Sequence, residues 1–318
     1  MMMVKGIVGG DALLTEFLIK GLTLNGAAES YCVGNFDEVV GSHIESKYGV
    51  KFVKNIDDFI GSSALLFLTF DFTETEKILP HLAKKVNPAS LIVSAVPELK
   101  LKKLEEHFPE NEIIRLFITP SIISGQGLGA YVVSQNASIN AQSVAEIILK
   151  DCGDVINVAD EKELEKVADF FTANTYMSYV MIQNMLRGAK KLGMTQEEAN
   201  FAVVKIFSGA VFTLIEGGKD NSAMIRRTTV DQRYRTKVTK LIDTQGIKKE
   251  MEKFIERPIY AEIIEAEDEE KIAQASGKST GNRFSNTAAS LHNVGFSKKA
   301  KTSDAKTSTI KMHYRKEE

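Results

Sequence analysis

Met3-Val4-Lys5-Gly6-Ile7-Val8-Gly9-Gly10-Asp11-Ala12 is the stretch of sequence from which the fold can be predicted. Its first half is apolar and β-branched, which predicts a strand that ends at the glycines. Apolar or small residues at helical spacing follow directly: Leu13, Leu14, Phe17, Leu18, Gly21 and Leu22. A strand, a glycine turn and a helix in this order open the βαβ unit of dinucleotide-binding domains, where backbone amides and the helix N-terminus hold a pyrophosphate.

The glycine turn departs from the usual G-x-G-x-x-G spacing. If Gly9 is the first glycine, Asp11 occupies the second position, and if Gly10 is the first, Ala12 occupies it. A carboxylate or a methyl group would then lie where the backbone must approach the phosphates most closely. Two interpretations stay open: a cofactor-binding turn, or an ordinary strand-to-helix turn that binds no nucleotide. The candidate cofactor-binding residues here are Gly6, Gly9, Gly10, Asp11 and Ala12.

The second strand of this unit bears on cofactor preference. Residues 30–33 form the predicted strand, and Asn35 follows at the position that faces the ribose 2′ group in dinucleotide folds. A neutral residue there favours NADP, whereas the nearby Asp37 would favour NAD. Asn and Asp are also common in ordinary turns. The sequence therefore predicts NADP or NAD as the cofactor, with a mild preference for NADP.

Strands and helices alternate through the rest of the N-terminal half. The predicted strands cover residues 51–53, 64–70, 91–96, 113–117, 130–133 and 155–158, and the predicted helices cover residues 73–86, 99–108 and 141–149. The run at 64–70 is apolar nearly throughout, as in a strand buried on both faces of a parallel sheet. This alternation predicts a doubly wound, Rossmann-type α/β domain over residues 1–160.

From residue 161 the pattern is helical, which predicts an all-α domain over residues 161–266. A capping box, Thr195-Gln196-Glu197-Glu198, precedes a helix that is apolar on two opposite faces. One face holds Ala199, Ala202, Val203, Ile206, Phe207, Ala210 and Leu214, and the other holds Phe201, Val204, Val211, Phe212 and Ile215. A helix buried on all sides favours a homodimer built on it, with the central helix of a monomeric bundle as the alternative.

The composition of the 318 residues, 43% of them hydrophobic, predicts a soluble, cytoplasmic protein with no membrane partner. No leader precedes the first strand, and no uninterrupted apolar run approaches the length of a membrane span. Two cysteines, Cys32 and Cys152, are too few for a disulfide framework. The five histidines are scattered along the chain, so we expect no metal site.

The net charge of −2 conceals an uneven distribution. Residues 271–318 hold ten Lys/Arg and three Asp/Glu, so this end is basic and the preceding body is acidic. The polar, basic segment 267–318 has the composition of a disordered tail. An acidic body makes nucleic acid an unlikely main partner. Contact of the tail with RNA or a membrane surface is a minor alternative.

At this point the chain resembles the pyrroline-5-carboxylate reductase family from about Met3 to Glu265. The most specific stretch is Gly188-Ala-Lys-Lys-Leu-Gly-Met-Thr-Gln-Glu-Glu-Ala199, which is similar to the family's linker between two long helices. Ile215-Glu216-Gly217-Gly218-Lys219 and Gln245-Gly246-Ile247 occur where the family has them, as does the segment 153–161. The resemblance implies a helical domain that interlocks into a dimer. It also implies reduction of the cyclic imine of pyrroline-5-carboxylate to proline by NAD(P)H, with the substrate between the nicotinamide and the helical domain.

The ligand-facing motifs of that family are altered here. Its Met-Pro-Asn-Thr-Pro retains only Thr119-Pro120, which would shape the nicotinamide pocket. Its Ser-Gly-Ser-Gly-Pro-Ala-Tyr is Ala173-Asn-Thr-Tyr-Met-Ser-Tyr179, which makes Asn174 a candidate substrate-binding residue. Its Ser-Pro-Gly-Gly-Thr-Thr, which holds the substrate carboxylate, is replaced by residues 230–235, and Thr236 is displaced by one position. Packing signals are kept while ligand-facing glycines are lost, as a changed ligand or no ligand would produce.

Two functions are consistent with these residues. The first is a divergent NAD(P)H-dependent imine reductase, in which Arg233 or Arg235 pairs with a substrate carboxylate and Thr236 or Tyr234 donates a proton. The second is a non-catalytic dimeric relative that serves as a binding or regulatory module. Asp11 and Glu98 would place carboxylates near the pyrophosphate, so we expect weak cofactor binding or none.

Overall fold

A computed structural model describes residues 4–10, 12–150, 152–216 and 232–256. Its strands form one sheet in the order β3-β2-β1-β4-β5-β6-β7-β8, and every neighbouring pair is parallel except β6 and β7. The strands are β1 Val4–Gly9, β2 Tyr31–Gly34, β3 Lys51–Phe52, β4 Ser63–Thr69, β5 Leu91–Ser94, β6 Ile113–Ile118, β7 Gly127–Val133 and β8 Gly153–Asn157. The predicted Rossmann-type class, followed by a helical region, is confirmed.

Helices cover both faces of the sheet and then continue alone. They are α1 Ala12–Leu22, α2 Glu38–Tyr48, α3 Asp57–Ile60, α4 Thr75–Ala83, α5 Leu101–His107, α6 Ile139–Leu149, α7 Glu161–Lys191, α8 Gln196–Glu216, α9 Gln232–Thr244 and α10 Ile247–Glu256. Two buried hydrophobic clusters lie on opposite faces of the sheet. The strand β4 supplies both of them, with Leu66 and Leu68 on one face and Leu65 and Phe67 on the other. This is why its sequence is apolar without alternation.

The position of β1 between β2 and β4 determines what surrounds the glycine turn. Parallel neighbours end at the same edge of a sheet, so the segments that follow β2 and β4 flank the segment that follows β1. The segment after β2 begins with Asn35 and Phe36. The segment after β4 contains a short 3-10 helix, Phe72–Glu74, that leads into α4.

Several element boundaries differ from those expected. The sequence analysis did not identify α2, whose ends are fixed by the Asp37 carboxylate at its N-terminus and by left-handed Gly49 at its C-terminus. The helix expected over residues 73–86 begins as the 3-10 helix and ends at Ala83. The strand β7 starts three residues earlier than expected, at Gly127, where a Cβ would collide with Ile122. Local capping and close packing set these ends, and hydrophobic periodicity does not report them.

The long helix α7 begins where the strands stop, with the Asp160 carboxylate accepting a hydrogen bond from the backbone N–H of Glu163 at 2.8 Å. Its first half packs onto the sheet, because Leu164 and Phe171 belong to a core cluster that also contains residues of β4, β5 and β6. The division at residue 160 into an α/β domain and a helical domain stays a proposal. The predicted tail, 267–318, lies outside the described residues.

The helix α8 is much less buried than its sequence predicts. The capping box is present, since Thr195 and Glu198 exchange hydrogen bonds between side chains and backbone amides. One face packs on α7, and Ala199 and Val203 are buried there. The opposite face is more than half exposed at each large residue: Phe201, Val204, Val211, Phe212 and Ile215. The described residues therefore leave this face of α8 uncovered, and the choice between a dimer and a monomeric bundle stays a prediction.

By length and composition alone, α8 is apolar enough to cross a membrane. The sequence analysis considered only uninterrupted apolar runs, and Lys205 interrupts this one. A mostly exposed apolar helix needs a covering surface, which a membrane or a second copy of the chain would provide.

Candidate functional site

The site predicted at the end of β1 is a small, tightly packed turn. Gly9 ends the strand and Gly10 precedes α1, with Asp11 outside the described residues. The hydroxyl of Thr15 on α1 lies 2.7 Å from the hydroxyl of Thr69 at the end of β4, which ties the helix to the neighbouring strand. Ala12 is the first residue of α1. The chain thus forms the strand, glycine turn and helix of a dinucleotide-binding unit.

Asn35 holds the turn from the β2 side. Its side-chain amide donates a hydrogen bond to the carbonyl oxygen of Gly9 at 2.6 Å. Its φ of 70° lies in the left-handed region, where Asn is better tolerated than most side chains. The residue expected to face a ribose therefore has its amide nitrogen engaged with the turn itself.

Two side chains fill the space beside the glycines. A Cβ at Gly9 would overlap with the ring of Phe36, so this ring lies directly against the end of β1. A Cβ at Gly10 would overlap with the carboxylate of Glu74, so this carboxylate lies against the turn. The sequence analysis singled out neither residue and instead expected the second carboxylate from Glu98. The order of β2, β1 and β4 in the sheet was the signal that could have identified them.

This arrangement does not fit a pyrophosphate. A dinucleotide binds only where no side chain lies against the glycines, because the backbone amides must reach the phosphate oxygens. Here an aromatic ring and a carboxylate occupy that space, and the carboxylate repels phosphate. Binding of a dinucleotide at this turn requires both side chains to move.

Two hydroxyl groups near this edge are candidates for ligand contact. Among the described residues, the side-chain oxygens of Thr75 and Ser94 are buried and have no hydrogen-bond partner. Thr75 follows Glu74 and starts α4, and Ser94 ends β5, so both lie at the carboxyl edge of the sheet. A buried hydroxyl without a partner costs about 1–3 kcal/mol. The edge therefore holds unused hydrogen-bonding capacity behind Glu74.

The remaining predicted cofactor residues have structural partners. Gly6 lies inside β1, where an added Cβ would be 2.7 Å from the Phe59 ring and the Ser63 hydroxyl. Thr119 is buried, and its hydroxyl accepts a hydrogen bond from the N–H of Leu128 at 3.0 Å. Pro120 starts a 3-10 helix, Pro120–Ser124, that packs on α1.

The structure does not gather the predicted substrate and catalytic residues at the turn. Asn174 lies on α7 and donates a hydrogen bond to the carbonyl oxygen of Phe170 at 2.7 Å. Arg233 and Thr236 are exposed on α9, which packs on α10, and the Thr236 hydroxyl donates to the carbonyl of Gln232 at 2.9 Å. Tyr234 and Arg235 belong to the same helix, but their side chains lie outside the description.

A partly buried ionic cluster, centred on the buried Arg115, joins the sheet to α7. Arg115 on β6 donates to Glu161 Oε1 at 2.7 Å and to Glu165 Oε1 at 3.4 Å, and it also binds the carbonyl of Pro97. Lys100 forms a further ion pair with Glu165. Burial alone would raise the pKa of Glu165, but Lys100 and Arg115 outweigh burial and hold that pKa below its usual value. The cluster fixes the start of α7 relative to the carboxyl edge of β6.

A groove of about 470 Å³ lies elsewhere, beside the residues that precede or begin β2 and β4, including Ser30, Tyr31 and Ser62. The groove also runs along the edge strand β3, and neither Gly9 nor Gly10 lines it, so it is separate from the predicted cofactor turn. Within the described ranges, no group of three His, Cys, Asp or Glu side chains could hold a metal ion.

Comparison with known proteins identifies the relatives of this fold. No family model matches the chain. A pyrroline-5-carboxylate reductase 2 of Bacillus subtilis is 22% identical over 232 residues, which covers 70% of this chain and 81% of that protein. A pyrroline-5-carboxylate reductase of Synechocystis is 21% identical over 222 residues, covering 70% and 82%. The chain is thus similar to pyrroline-5-carboxylate reductases over most of its length.

Solved structures of this family share the architecture. The Coxiella burnetii reductase superposes with a TM-score of 0.70 at 15% identity, covering 82% of this chain and 97% of that one. The Plasmodium falciparum enzyme, solved with NADP bound, gives 0.71 at 14% identity, covering 81% and 96%. At such identities the likeness establishes the fold.

Proposed function

We propose that the protein is an NAD(P)H-dependent reductase of a cyclic imine that carries a carboxylate, of the type that forms proline in the cytoplasm. The observation that carries the proposal is the similarity to two pyrroline-5-carboxylate reductases over 70% of the chain. The match covers 81% and 82% of the two relatives, which supports a shared activity rather than a shared fragment. The glycine turn at the carboxyl end of β1 supports the cofactor class.

The chain's own residues have distinct parts in this proposal. The turn at Gly9 and Gly10 would accept the cofactor once Phe36 and Glu74 have moved, and Thr119 and Pro120 would border its nicotinamide end. Arg233 or Arg235 would hold the substrate carboxylate by paired hydrogen bonds. Thr236 or Tyr234 would supply a proton, and Asn174 would contact the substrate from α7. The first turns of α9 would thus supply both the arginine that binds the substrate carboxylate and the proton donor.

We further propose that the protein is a homodimer built on α8. The described α9 side chains are exposed, so the described part of one chain does not enclose a substrate around them. The exposed apolar face of α8, centred on Phe212, needs a covering surface of the kind that obligate dimers bury. A second copy would cover that face. It would also offer a wall for a site that a single chain leaves open.

A non-catalytic dimeric relative is the alternative function. The observation that favours it is the filling of the glycine turn by Phe36 and Glu74. A binding or regulatory module would keep the packing of the family and lose its cofactor cradle. The same fold serves both functions, so the site has to be tested directly.

The test is formation of proline from pyrroline-5-carboxylate with each of NADH and NADPH in excess, measured by chromatography. We expect product, and we expect Thr236→Val to lower turnover by about 100-fold, since a positioned proton donor contributes about 10²–10⁴. Thr244→Val is the matched control, because Thr244 lies on the same helix and also donates to a backbone carbonyl one turn earlier. No proline at any cofactor concentration would favour the non-catalytic module.

A further inference from the structure

We infer that Phe36 and Glu74 form a two-part plug over the glycine turn and that these two side chains set the affinity for the dinucleotide. The inference rests on the proposed function, since it concerns the cofactor cleft of that reductase. It goes further by assigning the control of binding to two residues outside the glycine fingerprint. We call this pair the turn plug.

Phe36 acts through its volume. Its ring lies where a Cβ at Gly9 would be, and it also packs against the core cluster on that face of the sheet. The preceding residue fixes its direction, because Asn35 is held in a left-handed conformation by its bond to Gly9. The ring is half-buried and uncharged, so moving it costs only the exposure of apolar surface.

Glu74 acts through its charge. Asp71 caps the 3-10 helix that presents Glu74, accepting hydrogen bonds from the hydroxyl of Thr73 at 2.6 Å and from its N–H at 2.8 Å. These bonds lower the pKa of Asp71, because they favour its charged form. The Glu74 carboxylate is thereby presented to Gly10, where a phosphate would have to lie. Like charges at this spacing oppose binding, and salt weakens that opposition.

The order of the strands places both residues beside the same turn. Phe36 follows β2 and Glu74 follows β4, the two strands that pair with β1. A pyrophosphate at the turn has to displace both, since each covers a different glycine. Thr75, the next residue along the chain, has a buried hydroxyl with no partner in the described part of the chain.

The experiment is calorimetric titration of NADPH and NADH into the wild type, Phe36→Ala, Glu74→Gln and the double variant. We expect weak wild-type binding, with a Kd above about 100 μM, and a gain of about tenfold for each single variant. The gain from Glu74→Gln should shrink between low and high salt, whereas the gain from Phe36→Ala should persist. Controls are Val39→Ala, exposed on α2, and Glu76→Gln, exposed and paired with Lys103, which should leave affinity unchanged.

A second measurement does not depend on tighter binding. The chain has no tryptophan, so Phe36→Trp places one tryptophan in the plug, and its emission can be excited selectively over that of the eight tyrosines. Saturating NADP⁺, which does not absorb the emitted light, should shift its emission as the ring leaves the turn. An emission that stays unchanged at saturation would overturn the plug.

Different results would disprove the plug and the proposed reductase activity. Micromolar binding by the wild type, or equal affinity in the wild type and the double variant, would overturn the plug. Proline formation at excess cofactor decides the reductase separately, because it does not require tight binding. Titration of Asp11→Gly separates the plug from a second explanation. If Asp11→Gly binds the dinucleotide more tightly and neither Phe36→Ala nor Glu74→Gln does, then Asp11 limits the affinity and the plug is overturned.

Discussion

At the scale of single residues, the turn after β1 is defined by what contacts it. Asn35, Phe36 and Glu74 each touch a glycine of the turn, and none of them lies within the fingerprint itself. A fingerprint records where the backbone has to be free of side chains. It does not record which distant side chains enter the space that is left. The identity of a cofactor site therefore depends on the neighbours of the glycines as much as on the glycines.

Asn35 provides a test of the turn in the absence of ligand. Asn35→Gly keeps the left-handed conformation available and removes only the hydrogen bond to Gly9, so we expect a loss of about 1 kcal/mol of stability. Asn35→Ala also places alanine at a positive φ that it rarely adopts, so we expect the protein to lose about 2 kcal/mol of stability. Urea denaturation of both variants measures the difference. Equal losses would contradict a backbone role for this position.

At the scale of elements, the Arg115 cluster connects the α/β part to the helical part. Arg115 is buried on β6, while its partners Glu161 and Glu165 lie in the first turns of α7. Glu161 also accepts a hydrogen bond from the N–H of Leu101, at the start of α5, at 2.8 Å. One arginine thus holds two helix starts against the sheet, with carboxylates placed where a helix dipole favours them.

We predict that Arg115→Met lowers stability by about 2 kcal/mol, because it leaves the partly buried Glu161 without its cation and Glu165 with Lys100 alone. Lys103→Met is the control, since Lys103 pairs with an exposed Glu76 and should cost less than about 1 kcal/mol. Urea denaturation of both variants gives the comparison. Similar losses of stability in the two variants would show that Arg115 stabilises the fold no more than an exposed ion pair does.

The same cluster predicts a pH dependence. The pKa of Glu165 is lowered in the folded protein, so its stabilising contribution is complete above about pH 5.5 and is lost as pH falls through that lowered value. In Arg115→Met the folded pKa should move upward, toward that of the unfolded chain, so the loss of stability on acidification that is due to Glu165 should become smaller. Urea denaturation from pH 4 to 8 would measure this. Parallel pH profiles for the two proteins would contradict the assignment.

At the scale of the whole molecule, the sequence predicted the architecture better than the site. Alternating apolar runs indicated the sheet, since β4 and β5 are buried on both faces and could not be mistaken for amphipathic segments. The two-faced helix α8 was recognised, but periodicity shows only which faces are apolar and not what covers them. Phe36 and Glu74 were missed because their role depends on β2 and β4 flanking β1, which is a long-range pairing. Similarly, Arg115 pairs with Glu161, which lies 46 positions away along the chain.

The exposed face of α8 gives a prediction about assembly. Phe212→Asp should shift the sedimentation of the protein from dimer toward monomer and lower its solubility, because the charge would be buried in the interface and the separated apolar faces would be left uncovered. Asn200→Asp, an exposed position on the same helix, adds the same charge and should leave the dimer intact. A wild type that sediments as a monomer and binds lipid vesicles would contradict the dimer and favour a membrane surface.

The central claim is that this is a reductase whose cofactor turn is closed by its own side chains. Initial rates of pyrroline-5-carboxylate reduction, measured as a function of NADPH concentration for the wild type and the Phe36→Ala/Glu74→Gln double variant, test it most directly. We predict that the double variant saturates at an NADPH concentration at least about tenfold lower, with kcat unchanged, because the plug opposes binding and takes no part in the reaction. Saturation of both proteins at the same concentration, or no proline from either, would contradict it.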